Sequence, residues 1–93
     1  MTERRAVVGS PVGLHARPAA AFVQEANKYK CKICLKLGDR KADGKSILQV
    51  LSLGARQGQE VSVLADGEGE AEAVENLVRI VSSSEEAESP TLS

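Results

Sequence analysis

Cys31-Lys32-Ile33-Cys34-Leu35-Lys36-Leu37 alternates from residue to residue, Gly38-Asp39 follows, and Arg40-Lys41-Ala42 offers a short second limb. A two-residue period places Cys31, Ile33, Leu35 and Leu37 on one face of a strand and Lys32, Cys34 and Lys36 on the other. The Gly-Asp pair predicts a hairpin. A strand that is wet on one side belongs to an antiparallel or mixed sheet whose other side must be covered.

The cover is written on both sides of this segment. Upstream, Ala16 to Lys28 carries Ala19, Phe22, Val23 and Ala26 at helical spacing, with Pro18 in a first turn where its missing amide proton costs nothing. Downstream, Ser46 to Leu53 predicts a short helix, with Ser46 and Gln49 at capping-box spacing and Gly54 as its left-handed terminator. A third helix is predicted from Glu70 to Val81, with Val74, Leu77, Val78 and Val81 on one face. Glu68, Glu70 and Glu72 lie near its start, where the helix dipole favours acids. Two more strands complete the set: residues 5 to 8, closed by Gly9-Ser10-Pro11, and Val61-Val63-Ala65, which stops at Asp66-Gly67. The order is β-α-β-β-α-β-α.

Outside this pattern, Ser82-Ser83-Ser84-Glu85-Glu86-Ala87-Glu88-Ser89-Pro90 contains no large apolar residue. Residues 1–82 therefore form the expected domain, and 83–93 a flexible, acidic, Ser-rich tail. Val, Leu, Ile and Phe make up 23 of the 93 residues, enough for a modest aliphatic core in one small domain. The net charge is −1 and the aromatics are Phe22 and Tyr29 alone, which argues against nucleic-acid binding through a basic field and stacked bases. No apolar run is long enough for membrane insertion, and the first residues lack a signal-peptide core, so a cytoplasmic location is expected.

Several chemistries are removed by counting. Zinc held by Cys and His alone needs four ligands, and Cys31, Cys34 and His15 supply three, so no metal is expected. On a strand the two cysteines point to opposite faces and cannot close a disulfide, leaving a core thiol at Cys31 and a surface thiol at Cys34. Gly44-Lys45-Ser46 imitates the end of a phosphate-binding loop. However, five residues separate Gly38 from Gly44 where that loop needs four.

The stretch with chemistry left in it is Gly13-Leu14-His15-Ala16-Arg17-Pro18-Ala19-Ala20. Pro18 sets the start of a helix, so His15 stands at or beside its N-cap. An anion on the ring would meet first-turn amides, the positive end of the dipole and the Arg17 guanidinium. Imidazole is largely neutral at pH 7 and keeps a lone pair for attack on phosphorus. Taken alone, the motif also fits an incidental histidine beside a solvated arginine.

Three further segments extend it: Asp43-Gly44-Lys45-Ser46-Ile47-Leu48, Ser52-Leu53-Gly54-Ala55 and Gly58-Gln59-Glu60-Val61. Together with the histidine segment and the spacing between them, they resemble HPr, the histidine-containing phosphocarriers of the phosphoenolpyruvate-dependent sugar phosphotransferase system. The resemblance runs from about residue 4 to residue 82. It implies an α+β fold, an open-faced β-sandwich in which a four-stranded antiparallel sheet carries three helices on one face.

The same resemblance implies a carrier with a covalent phosphohistidine and not a stand-alone enzyme. His15 would take a phosphoryl group on Nδ1 from enzyme I and pass it to a sugar-specific EIIA. Arg17 would neutralise the phosphate, and the amides of Ala16 and Arg17 would cradle it. Ser46 matches the family's regulatory serine, although Gln49 departs from the glycine frequent beside it. Ile47, Leu48 and Leu51 would form the apolar part of the docking surface, with Gln24 and Asn27 nearby on the first helix. No cofactor is implied, and the chain is expected to be a monomer. A serine kinase and a transcription regulator are further partners that the resemblance raises. The alternative function is a regulatory module of the same fold that docks on a transcription factor or enzyme. A metal or redox protein using Cys31, Cys34 and His15 is the third class.

Overall fold

In a computed structural model that describes residues 1–11, 13, 14 and 16–83, the chain runs through seven elements. They are β1 (Thr2–Val7), α1 (Ala16–Ala26), β2 (Lys32–Leu37), β3 (Arg40–Asp43), α2 (Ile47–Leu53), β4 (Glu60–Asp66) and α3 (Glu70–Ser82). The predicted order holds. The strands pair antiparallel throughout in the order β1-β4-β2-β3, so the sheet is antiparallel and not mixed.

Alternation along the strands decides what is inside. Ile33, Leu35, Ala42, Val61, Val63 and Ala65 are buried beneath the sheet together with Cys31. Against them, α3 packs under β1 and β4, α2 under β3 and β2, and α1 lies against both helices. Phe22, Val50, Val74 and Leu77 are each fully buried, and this helical layer closes the core. Val78, expected on the buried face of α3, is only half-buried, and Ala73 takes a fully buried place there. Among the described residues, no helix lies over the other face of the sheet.

Element ends show where pattern reading stopped short. The first strand covers Thr2–Val7 and not residues 5–8, because Glu3, Arg4 and Arg5 are held extended by pairing with Leu64, Val63 and Ser62. Helix α1 ends at Ala26, two residues before the expected Lys28. Asn27 there donates both its backbone N–H and its side-chain Nδ2 to the Val23 carbonyl, at 3.0 and 2.9 Å. Cys34 is half-buried and not a plain surface thiol.

The predicted capping box at Ser46 forms by half. Ser46 Oγ accepts from the Gln49 N–H at 3.4 Å, but the Gln49 side chain accepts from the Asp43 N–H at 2.9 Å and does not return to Ser46. The Ser46 N–H donates to the Asp43 carbonyl at 3.0 Å, so both residues tie α2 to the end of β3. Gly54 ends α2 in the left-handed conformation expected of it, at φ 65°.

Candidate functional site

The segment leading into α1 is pinned from two sides. Leu14 is buried and its N–H donates to the Ala55 carbonyl at 2.9 Å, which joins the approach to α1 with the residues just past α2. Gly13 has φ 79°, and a Cβ there would come within 2.5 Å of the Ala55 carbonyl oxygen. Only glycine allows the two backbones this close. On the other side, the Gly9 N–H donates to the Val81 carbonyl at the end of α3.

These anchors present the start of α1 at the surface. Ala16 and Arg17 are exposed, whereas Pro18 and Ala19 are buried and hold the first turn down. At a helix start the first-turn amides point out of the helix end, and no earlier turn of this helix accepts from them. His15, the predicted phosphoryl acceptor, lies outside the described residues, as does Val12.

Helix α2 runs alongside α1 in the opposite sense. Its C-terminal end meets the Leu14 segment through Ala55, and its N-terminal end meets the far end of α1 through Asn27 Nδ2, which donates to the Lys45 carbonyl at 3.4 Å. Ser46 is therefore at the other end of α2 from the Leu14 contact, about 10 Å away for a helix of this length. Of the predicted docking residues, Ile47 is 36% and Leu48 73% exposed. Leu51 is half-buried and packs on the core, so it contributes less surface than its companions. Val50 and Leu53 fill the buried side. Gln24 on α1 and Asn27 just past its end are both exposed.

Arg40, which sequence spacing did not single out, and Glu70, expected only as a dipole-favoured acid, shape the periphery. Arg40 donates through Nη2 to the Ser52 carbonyl at 2.6 Å and so satisfies the last turn of α2. Glu70 accepts from the Gly67 N–H at 2.9 Å and from the Thr2 hydroxyl at 2.7 Å, and lies 2.9 Å from the Met1 ammonium. The Gly67 N–H first, then the Thr2 hydroxyl and the ammonium, hold its carboxyl down to about 2. This fastens the start of α3 to β1 at the end of the domain away from α1's first turn. Among the described residues, no group of three or more His, Cys, Asp or Glu side chains could hold a metal ion.

A pinned loop leads into an exposed helix start with an apolar patch alongside, and comparison with known proteins gives the chain a family. The family described as PTS HPr component phosphorylation site matches residues 2–83. The chain belongs to this HPr family of the phosphotransferase system. It is 42% identical over 81 residues to the HPr-like protein Crh of Bacillus subtilis, covering 87% of this chain and 95% of that one. It is 42% identical over 69 residues to the phosphocarrier protein HPr of Haemophilus influenzae, covering 74% and 81%. Among solved structures, HPr of Thermoanaerobacter tengcongensis superposes with a TM-score of 0.85 at 38% identity, over 99% of this chain and 100% of that one. The same protein has also been solved as a dimer, with a TM-score of 0.68 at 41% identity over 87% and 93%.

Proposed function

We propose that the chain relays a phosphoryl group from phospho-enzyme I to a sugar-specific EIIA through phosphohistidine at His15. In the forward step the Nδ1 lone pair attacks phosphorus while the bond to the donor nitrogen breaks. In the second step EIIA attacks the same phosphorus and His15 leaves as neutral imidazole once a proton is returned. Arg17 neutralises charge on the transferring group, and the first-turn amides of Ala16 and Arg17 cradle its oxygens. Ile47 and Leu48, with a smaller share from Leu51, provide the apolar contact for both partners. The observation that carries this reading is the start of α1, held in place through Leu14 and Ala55 yet exposed at Ala16 and Arg17.

A second reading rests on the 42% identity to an HPr-like protein, Crh, together with half-buried Ser46 beside exposed Ile47 and Leu48. In it, a kinase phosphorylates Ser46 and the domain docks on a transcription regulator. One experiment separates the two. The chain is incubated with phosphoenolpyruvate and enzyme I, and an acid-labile mass increase of one phosphoryl group is sought, with His15→Ala as the control. Labelling of the native chain alone supports the relay. No labelling, or equal labelling of His15→Ala, removes it and leaves the docking module. We further propose a cytoplasmic monomer, to be checked by sedimentation. No described helix is long and apolar enough to cross a membrane.

A further inference from the structure

The helix-free face of the sheet holds a hollow of about 620 Å³ whose lining includes Lys30, Lys32, Lys36, Lys41 and Lys45. Its size suits a small organic ligand. Strand register explains how the charges collect. Lys36 stands directly opposite Lys41, and on its other side opposite Ser62, which in turn faces Arg5. A row of donors thus crosses all four strands. Like charges directly opposite destabilise a strand pair, so the Lys36/Lys41 pairing is unfavourable on its own. Among the described residues, Lys30, Lys32, Lys36 and Lys41 form no ion pair.

The charges fall into two poles. Lys36 and Lys41 form one. Lys30 and Lys32 form the other, joined by Lys45, whose Nζ donates to the Tyr29 carbonyl at 2.6 Å. Lys36 stands four positions after Lys32, about 13 Å along β2. Between the poles the lining is Cys34 and Leu64, which stand opposite each other, with Asp43 opposite Cys34 on its other side, while Asp66 stands opposite Lys32. Asp43 and Asp66 also line the hollow. Asp43 accepts from the Lys45 N–H at 3.0 Å and Asp66 lies 3.8 Å from the Met1 ammonium, so each already has a donor.

We propose that this hollow binds a small organic molecule with a phosphate group at each end, one per lysine pole, and its uncharged middle over Cys34 and Leu64. Lysine suits phosphate as a mobile point charge, and a phosphate monoester carries nearly two charges at neutral pH. A continuous polyanion fits less well, because Asp43 and Asp66 sit in the lining and no aromatic residue is present there to stack a base. This site is separate from the α1–α2 surface and does not depend on the relay.

The test uses the full chain, with hexanediol bisphosphate as probe and hexyl phosphate as its one-ended control. Cys34 is the reporter, since Cys31 is 2% exposed and slow to react. The bisphosphate should protect Cys34 from iodoacetamide and shift the amide resonances of Lys36, Ser62 and Leu64. It should do so at about tenfold lower concentration than the monoester, with the advantage shrinking as salt rises. Lys36→Gln with Lys41→Gln should abolish the advantage, and so should Lys32→Gln with Lys30→Gln. Lys28→Gln, on the helical side, should leave it intact. Equal affinity for the two probes, or an advantage that survives both lysine pairs, overturns the proposal. Protection of Cys34 that grows with protein concentration and needs no probe also overturns it, by giving the face to a second copy.

Discussion

At the scale of single residues, position matters more than type. Arg17 is one of twelve basic side chains, and what distinguishes it is the first turn of a helix whose approach is fixed by Gly13 and Leu14. Arg17→Ala should leave melting nearly unchanged. It should slow phosphoryl transfer by roughly 10- to 150-fold, the equivalent of one charge-assisted contact of about 1.5–3 kcal/mol. Rapid-quench measurement of transfer from enzyme I checks this, and a native rate would reduce Arg17 to a solvated base. Glu70 gives the pH counterpart. Its carboxyl titrates at about 2 in the fold against 4.5 as a free side chain, so its stabilising effect is complete above pH 4.5. That effect drains away as pH falls towards 2, because protonation then releases the Gly67 and Thr2 contacts. Melting temperature should therefore fall over this window in the native chain, and Glu70→Gln should show a shallower fall. Parallel acid limbs for the two proteins would show that Glu70 does not govern it.

The elements show what the sequence makes legible and what it hides. Ile33, Leu35, Val61 and Val63 announce their strands because pairing and burial select the same alternation, and α3 is recognisable because Val74, Leu77 and Val81 must share a face. The start of β1 is hidden, since Glu3-Arg4-Arg5 has no alternation and is extended only because β4 pairs with it. Most of the basic row is hidden for the same reason: the Gly38-Asp39 hairpin already sets Lys36 opposite Lys41, but Lys36 meets Ser62 and Ser62 meets Arg5 through register that spacing along the chain does not encode. Of the site, Arg17, Ser46 and the exposure of Ile47 and Leu48 could be anticipated from the motif and from a helix too short to bury its whole circumference. The anchoring of Leu14 on Ala55 could not, because it joins loops 41 positions apart.

Two predictions belong to the elements. Gly9 sits so close to the end of α3 that an added Cβ would overlap the Ser82 carbonyl, and neither backbone can move without breaking the Gly9–Val81 hydrogen bond. Gly9→Ala should cost about 1–3 kcal/mol, measured by urea unfolding. A native midpoint would mean that this junction yields. At the other helix end, Ser46→Asp keeps an N-cap acceptor and adds a charge favoured by the dipole, so stability should hold or rise by a few tenths of a kcal/mol. The same charge lies beside Ile47 and Leu48, where it should weaken docking to an enzyme I surface that attracts Arg17. Affinities of Ser46→Asp and Ser46→Ala for enzyme I decide the point, and equal values would leave Ser46 as a helix cap.

At the scale of the whole molecule, charge is divided along the chain. Up to residue 83 there are twelve basic side chains and ten acidic ones, while the last ten residues carry Glu85, Glu86 and Glu88 with no base. Among the described residues, Phe22, Leu35, Val63 and Leu77 are fully buried. The segment beyond residue 83, expected from the sequence to be a tail, lies outside the described residues, and Leu92 is its one large apolar side chain. Ending the chain after Ser83 should therefore leave the melting temperature and the rate of phosphoryl acceptance at their native values, while turning the net charge from −1 to mildly positive. Removing three negative charges should also strengthen, modestly and only at low salt, the attraction of any acidic partner. Calorimetry and transfer assays on the shortened and full chains measure these effects together. A drop of several degrees on shortening would show that Leu92 or the glutamates pack against the domain. A salt-independent gain in partner affinity would show that the segment covers the docking surface.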